Sequence, residues 1–256
     1  MFLTRMVESK RAELKTKGID FTLPRLRERL DTAPRARSLR KVLSKKGLSL
    51  ITEVKKVSPS AGVLKDDFDP VEIALSYEAA GADAISVLTD TQYFGGSLEH
   101  LVAIREMCSV PLLRKDFLID VRQVYESRAM GADAVLLIST ILDSRELDDL
   151  MSACEEVGLD ALVEVHTDYD LHKALETGAS MIGINNRDLE TFEVDLKVTE
   201  KIAPLIPKEK IVVSMSGIKE GKDVVRLKQF DIDAILVGEA MMRSGNVAKT
   251  LEELSG

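Results

Sequence analysis

Four apolar runs along the chain repeat one phrase: GADAISVL (81–88), GADAVLLI (131–138), GASMIGI (178–184) and DIDAILVG (231–238). Each follows a small-residue turn with an unbroken apolar stretch rather than with strict alternation. A strand that is apolar at successive positions is buried on both faces, which is what a parallel sheet imposes. Further short runs lie between them, LSLITEVK (48–55), PLLRKDF (111–117), DALVEV (160–165) and KIVVSM (210–215), making eight predicted strands.

Helical periodicity follows each run, with start and stop signals. DPVEIALSYEAAG opens on Asp-Pro and stops at Gly81; DSRELDDLMSACEEVG opens on Asp143 and Ser144 and stops at Gly158. At roughly 25 residues per unit, the spacing is that of strand, loop, helix and loop in a compact α/β domain. An open doubly wound sheet would usually have fewer strands and often a GxGxxG first turn, which this chain lacks. The predicted fold is α/β, a (β/α)8 TIM barrel. No linker rich in Pro, Gly or Ser divides the chain, so residues 1–256 are expected to form a single domain, with residues 1–47 as an N-terminal helical extension.

Composition narrows the partners. The chain of 256 residues is 45% hydrophobic and 30% charged with a net charge of −8, which disfavours nucleic acid and anionic membrane. Cys108 and Cys154 have neither a CxxC nor a Cys/His partner, so no metal and no disulfide framework is expected, and a reducing cytoplasm is the simple reading. The N-terminal MFLTRMVESKRAELKTKG carries charges too frequently for a signal peptide or a membrane span and reads as an amphipathic helix. The expected partner is a small molecule, and the chain is expected to be monomeric.

In a barrel of this kind chemistry sits at the C-terminal ends of the strands. Strand parity then decides which polar side chains converge. Ile51, Glu53 and Lys55 share a face; so do Leu113, Lys115 and Phe117, Leu162 and Glu164, and Gly183, Asn185 and Arg187. Singly, Lys55 also reads as the solvated end of a KK pair, and Glu53 with Lys55 as a structural ion pair at the rim. As a set on four strands, charges within apolar runs are costly to bury unless they pair or work. Strands 7 and 8 end in Ser216-Gly217 and in Gly238. Each small residue lets a backbone approach a ligand, and each precedes a helix whose N-terminus favours an anion, so a phosphate is expected there. Among weaker candidates, His100 and His172 read as surface residues, His166 as a loop cap, and Met241-Met242 as helix core. Tyr93-Phe94 either walls a pocket or pins its loop.

The stretches EVKKVSPSAG (53–62), SVLTDTQYFGGSL (86–98), LLRKDF (112–117), LVEVH (162–166), IGINNRDLETFEVDL (182–196) and LVGEAMMR (236–243) closely resemble the indole-3-glycerol phosphate synthase family of tryptophan biosynthesis. The resemblance implies ring closure of 1-(2-carboxyphenylamino)-1-deoxyribulose 5-phosphate with loss of CO2 and water, without cofactor or metal, in a barrel whose N-terminal extension folds over the mouth. It implies catalytic roles for Glu53, Lys55, Lys115, Glu164 and Asn185, with Arg187 orienting the substrate. It implies a phosphate cradle from Ser58, Ser216, Gly217, Gly238 and the backbone of Glu239, and an apolar ring pocket from Phe94, Phe117, Leu136 and Leu189. One position departs: the family carries glutamate where this chain has Met215, a lost charge near two lysines. Against the synthase stand an activity-impaired or redirected variant, and another phosphate-binding barrel enzyme such as an aldolase using Lys115.

Overall fold

A computed structural model describes residues 2–255. Eight strands close a parallel barrel: β1 (Ser49–Val54), β2 (Ala84–Leu88), β3 (Leu112–Lys115), β4 (Ala134–Ile138), β5 (Asp160–Val165), β6 (Met181–Asn185), β7 (Ile211–Met215) and β8 (Ala234–Val237), with β8 pairing back onto β1. All positions of β1, β2, β4, β6, β7 and β8 are buried, which is why these strands read as continuous apolar runs.

The helices are α1 (Phe2–Thr16), α2 (Leu23–Leu30), α3 (Leu39–Leu43), α4 (Pro70–Ala79), α5 (Thr91–Phe94), α6 (Leu98–Met107), α7 (Val121–Ala129), α8 (Ser144–Val157), α9 (Asp168–Glu176), α10 (Lys197–Ile202), α11 (Gly221–Leu227), α12 (Glu239–Met242) and α13 (Val247–Ser255). Their boundaries follow local chemistry. The Asp69 carboxylate accepts from the N–H groups of Val71 and Glu72 to start α4 at Pro70. Asp143 and Glu146 form a reciprocal capping box on α8, which stops at left-handed Gly158. Cys108 and Cys154 are buried in the apolar layer between sheet and helices. Among the described residues no helix is long and apolar enough to cross a membrane.

The repeated phrase has a structural cause. Asp83, Asp133 and Asp233 stand just before β2, β4 and β8, and each accepts from a backbone N–H at the start of the preceding strand: Leu50, Leu112 and Val212, all at 2.8 Å. These carboxylates satisfy strand starts that have no ladder partner. A second apolar cluster fills the interior and includes Ile51, Leu113, Leu162, Val213 and Met215, so these face inward.

The N-terminal segment divides in three. Helix α1 lies at the mouth, its first N–H groups, from Phe2 and Leu3, donating to Glu190 at 2.7 and 3.2 Å. Helix α2 packs on the outer face of α7. Helix α3 seals the opposite end with Leu39 and Leu43, both fully buried in the interior cluster. Each such side chain contributes about 1.5–3 kcal/mol. Of the extension expected over the mouth, α1 is the part found there.

Candidate active site

A cavity of about 630 Å³ opens at the C-terminal ends of the strands. Every residue to which the resemblance gives a catalytic or binding role lines it, from Glu53 on β1 to Glu239 at the start of α12. Lys55, Phe117 and Arg187 stand beyond the ends of β1, β3 and β6, yet line the cavity with the inward residues of those strands.

Glu53 is the hub. Lys55 Nζ donates to its Oε1 at 2.5 Å, and Lys115 Nζ lies 3.9 Å from its Oε2. Burial opposes ionisation of Glu53, but the charges of Lys55 and then Lys115, together with the Lys55 hydrogen bond, outweigh it and hold the carboxyl below its usual range. Gly238 makes the arrangement possible: a Cβ there would overlap Glu53 Oε1 and come within 3.1 Å of Lys55 Nζ. That close approach, rather than backbone freedom, is why glycine follows β8.

Glu164 is its counterpart across the cavity. Asn185 Nδ2 donates to Oε1 at 2.9 Å, whereas Oε2 is buried with no hydrogen-bond partner. Burial pushes the Glu164 carboxyl above its ordinary value, and the charge of Glu53 adds to this; Lys115, Asn185 and His166 pull the other way. Asn185 is fixed in turn, its Oδ1 accepting from the backbone N–H of Arg187 at 3.0 Å. A carboxylate below its normal range, a carboxyl above it and two lysines form a set able to give and take protons.

Met215 occupies the inner wall at 1% exposure. A Cβ on Gly183 would lie 2.8 Å from its methyl, so the glycine admits the thioether. Gly183 is also paired with Glu164 across the sheet.

The apolar side holds Phe94, Phe117, Leu136 and Leu189, with the two phenylalanine rings 6.2 Å apart. Both readings of Tyr93-Phe94 apply: Phe94 walls the cavity, and Tyr93 pins α1 by an edge contact with Phe2 and a hydrogen bond to the Arg5 carbonyl. At the polar end Ser58 Oγ and Ser60 Oγ are 3.1 Å apart, and Arg187 Nη1 donates to Ser60 Oγ at 3.1 Å. Ser216 and Gly217 are consecutive left-handed residues with φ of 67° and 81°. Glu239 directs its carboxylate at Arg243, 3.4 Å away.

Three expectations need correction. The helix after β7 does not begin at the Ser-Gly turn but at Gly221, and the N–H groups of Lys219 and Glu220 already donate to Asp223. An anion there would meet the turn's own backbone. After β8, α12 has only four residues, so it is the approach of backbone, not a long helix dipole, that characterises that corner. His100 is half-buried rather than on the surface, because its ring packs on Phe68 at 5.4 Å. His172 is exposed, and His166, in the loop after β5, reaches the end of β6 by its Nδ1 contact with the Asn185 carbonyl at 2.8 Å. Met241 and Met242 are buried in the outer core.

Sequence reasoning missed Met6, Ser60, Lys219 and Arg243, all of which line the cavity. Arg243 alone carried a signal, at i+4 from Glu239 on the same helical turn.

The indole-3-glycerol phosphate synthase family model matches residues 3–254. The chain belongs to the indole-3-glycerol phosphate synthase family. It is 45% identical over 255 residues to the indole-3-glycerol phosphate synthase of Alkaliphilus metalliredigens, covering 99% of this chain and 98% of that one. It is 47% identical over 258 residues to the Dehalococcoides mccartyi synthase, at 99% and 100% coverage. The Acetivibrio thermocellus synthase is 50% identical over 206 residues, 80% of this chain and 79% of that one. Two solved structures share the fold: 3-hexulose-6-phosphate synthase from Salmonella typhimurium, with TM-score 0.67, 15% identity and coverage of 81% and 97%, and thiamine phosphate pyrophosphorylase from Pyrococcus furiosus, with TM-score 0.60, 21% identity and coverage of 85% and 96%. As a synthase of this family the chain is a carboxy-lyase of tryptophan biosynthesis with a phosphorylated small-molecule substrate.

Proposed function

We propose that Lys115 and Glu164 carry the proton transfers of ring closure on 1-(2-carboxyphenylamino)-1-deoxyribulose 5-phosphate. The observation that carries this reading is the pair of opposed carboxyl environments with an ammonium between them: Glu53 ionised by its lysines, Glu164 dried out with one oxygen unpartnered. The ring carbon attacks the ketone carbon, and Lys115 gives its proton to the oxygen as the C–C bond forms. The carboxylate leaves as CO2. Loss of the new hydroxyl as water takes a proton from a general acid, Lys55 or the recharged Lys115, while Glu164 accepts the proton released beside the ring nitrogen. Glu53 keeps both lysines aimed inward through its contacts with them.

Asn185 steers Glu164 and Arg187 orients the substrate. The aminobenzoate ring lies among Phe94, Phe117, Leu136 and Leu189, and the phosphate meets Ser58, Ser216, Gly217, Gly238 and the backbone of Glu239; the separation of apolar and polar lining supports that orientation. Met215 contributes bulk where the family contributes a carboxylate. Residues 1–256 act as one domain, with α1 over the mouth, in a monomer within the cytoplasm. Free buried thiols and a net charge of −8 suit that compartment and argue against nucleic-acid and membrane partners. Elution in gel filtration well above the 28.2 kDa of one chain would exclude the monomer, and recovery of the native protein in a membrane fraction would exclude the compartment.

An indole fluorescence assay tests the chemistry. Wild-type protein turns over the ribulotide, and Lys115→Met lowers kcat by about 10³-fold, as expected for loss of a positioned general acid. Borohydride added during turnover leaves the chain unmodified. A trapped adduct on Lys115 would replace acid catalysis by an imine and sink this assignment.

A further inference from the structure

Lys10, on the mouth helix, has no part in the chemistry described above, yet it is 1% exposed. Its Nζ lies 2.9 Å from Asp116 Oδ1 and 3.2 Å from Asp90 Oδ2, with Glu13 Oε2 at 2.6 Å. Both aspartates are buried, and each holds a backbone group of the residue or helix beside it. Asp90 Oδ1 accepts from the N–H of Tyr93 at 2.8 Å and so caps α5, which ends in Phe94. Asp116 Oδ1 accepts from the N–H of Phe117 at 2.8 Å. Phe94 and Phe117 are the two rings that face each other in the cavity.

We propose that Lys10 is a positioning residue for the aromatic wall of the ring pocket, one ammonium holding two carboxylates, of which one caps the short helix that carries Phe94 and the other fixes the backbone of Phe117. Without it, Asp90 and Asp116 face one another with Arg114, 3.0 Å from Asp116 Oδ2, as the neighbouring positive charge and the Thr89 hydroxyl donating to that same oxygen at 2.7 Å. Like charges drawn that close separate or take up a proton, and either response loosens the two N–H contacts. Anchoring α1 is a different matter. The extension is also held by Glu190 at the first turn of α1 and by Lys17 on Glu126 at 2.5 Å, neither of which touches the phenylalanines. This inference rests on the reading that Phe94 and Phe117 receive the aminobenzoate ring.

The test compares two probes on the full chain: N-methyl-2-aminobenzoate, followed by its own fluorescence, for the ring pocket, and inorganic phosphate, followed as an inhibitor of turnover, for the polar end. Lys10→Met weakens the ring probe by about tenfold and changes phosphate inhibition by less than about twofold. KM rises while kcat stays within about threefold, because Lys10 touches no reacting atom. Lys17→Met, which releases the other anchor, leaves both probes within about twofold. Adding Asp90→Asn to Lys10→Met removes the repulsion but keeps an oxygen for the Tyr93 N–H, and the ring-probe loss shrinks to about threefold.

Equal weakening of both probes in Lys10→Met, or an equal effect of Lys17→Met, would reduce Lys10 to a tether for α1 and overturn the proposal. If Lys10→Met does not fold, the double variant carries the comparison, and an unchanged ratio of ring to phosphate affinity there overturns it too. Failure of the ring probe to bind wild-type protein overturns the ring-pocket reading and this inference together. Normal wild-type binding with no shift in the variants overturns this inference alone.

Discussion

Asp133 and Glu164 are both buried carboxyl residues of the barrel, one just before β4 and one near the end of β5, and they are treated in opposite ways. Asp133 accepts from Arg37 N at 2.7 Å, Leu112 N at 2.8 Å and Arg105 Nη1 at 2.7 and 2.9 Å, so both oxygens are saturated. Glu164 has one partner, Asn185, and an oxygen with none. At Asp133 the polar capacity is spent on stability, whereas at Glu164 it is kept in reserve for a ligand. That reserve has a cost, because an unsatisfied buried carboxyl is one of the more expensive groups a protein holds.

The comparison breaks most sharply at its stable end. Asp133→Ala leaves Arg105 buried without its carboxylate and two backbone N–H groups without acceptors, so the free energy of unfolding falls by about 3–5 kcal/mol while kcat per folded molecule is unchanged. Denaturant titration beside an active-site count checks this; a loss under about 1 kcal/mol would remove the contrast between the two ends.

Gly238→Ala attacks the mouth. The new methyl pushes the Glu53 carboxylate off Lys55, and kcat falls by about 30-fold with less than about 1 kcal/mol lost from stability. Steady-state kinetics and a thermal melt on the same preparation separate these, and wild-type kcat would mean that the Glu53–Lys55 contact is dispensable.

Glu164→Gln sharpens the contrast through pH. Burial raises the Glu164 carboxyl in the folded protein above its ordinary value of 4.5. The folded state therefore binds a proton more readily than the unfolded chain, and ionised Glu164 lowers stability as pH rises above 4.5. Glutamine is neutral throughout, so the variant is inactive in proton transfer yet more stable than wild type at pH 7, and that advantage disappears below 4.5. Glu53 runs in the other direction: its lowered carboxyl contributes stability above the ordinary range that is lost as pH falls through its folded value. Melting curves across pH read both, and a glutamine variant that melts with or below wild type at neutral pH contradicts the reserve at the mouth.

The smallest effect belongs to Met215→Glu. A carboxylate over Gly183 stands beside Glu164 and raises it further, and it adds a second counter-charge for the lysines. We expect kcat to rise about threefold, the acid limb of the pH–rate profile to move to higher pH, and stability to drop by about 1 kcal/mol. Unchanged kinetics would show that the inner wall at this position is chemically silent.

Much of the barrel was legible because parallel strands buried on both faces leave an unmistakable apolar run, and because capping residues such as Asp69 and Asp143 act locally. The core of the site was legible for the same reason in reverse: Glu53, Lys115, Glu164 and Asn185 are polar at inward positions of otherwise apolar strands, where parity alone gives their direction. The aspartates of the repeated phrase were visible but unread, since their acceptor role depends on a strand that is distant in the chain and adjacent only in the sheet. Ser60 and Lys219 were missed because loops carry no period from which a direction can be read. Nor did periodicity foresee the two-residue strands Val57–Ser58 and Gly62–Val63, a hairpin just after Lys55.

By itself the chain determined its alternation of strand and helix, the inward face of each strand, and the family whose motifs it carries, because these depend on neighbours within a few residues. Tertiary structure alone decided which charges are shared. Lys10 joins Asp90 and Asp116 across about a hundred positions of sequence, and Gly238 is needed for a carboxylate on β1. A hydrogen bond or an ion pair acts over a few ångströms whatever the separation along the chain, so only closure of the barrel brings such partners within reach.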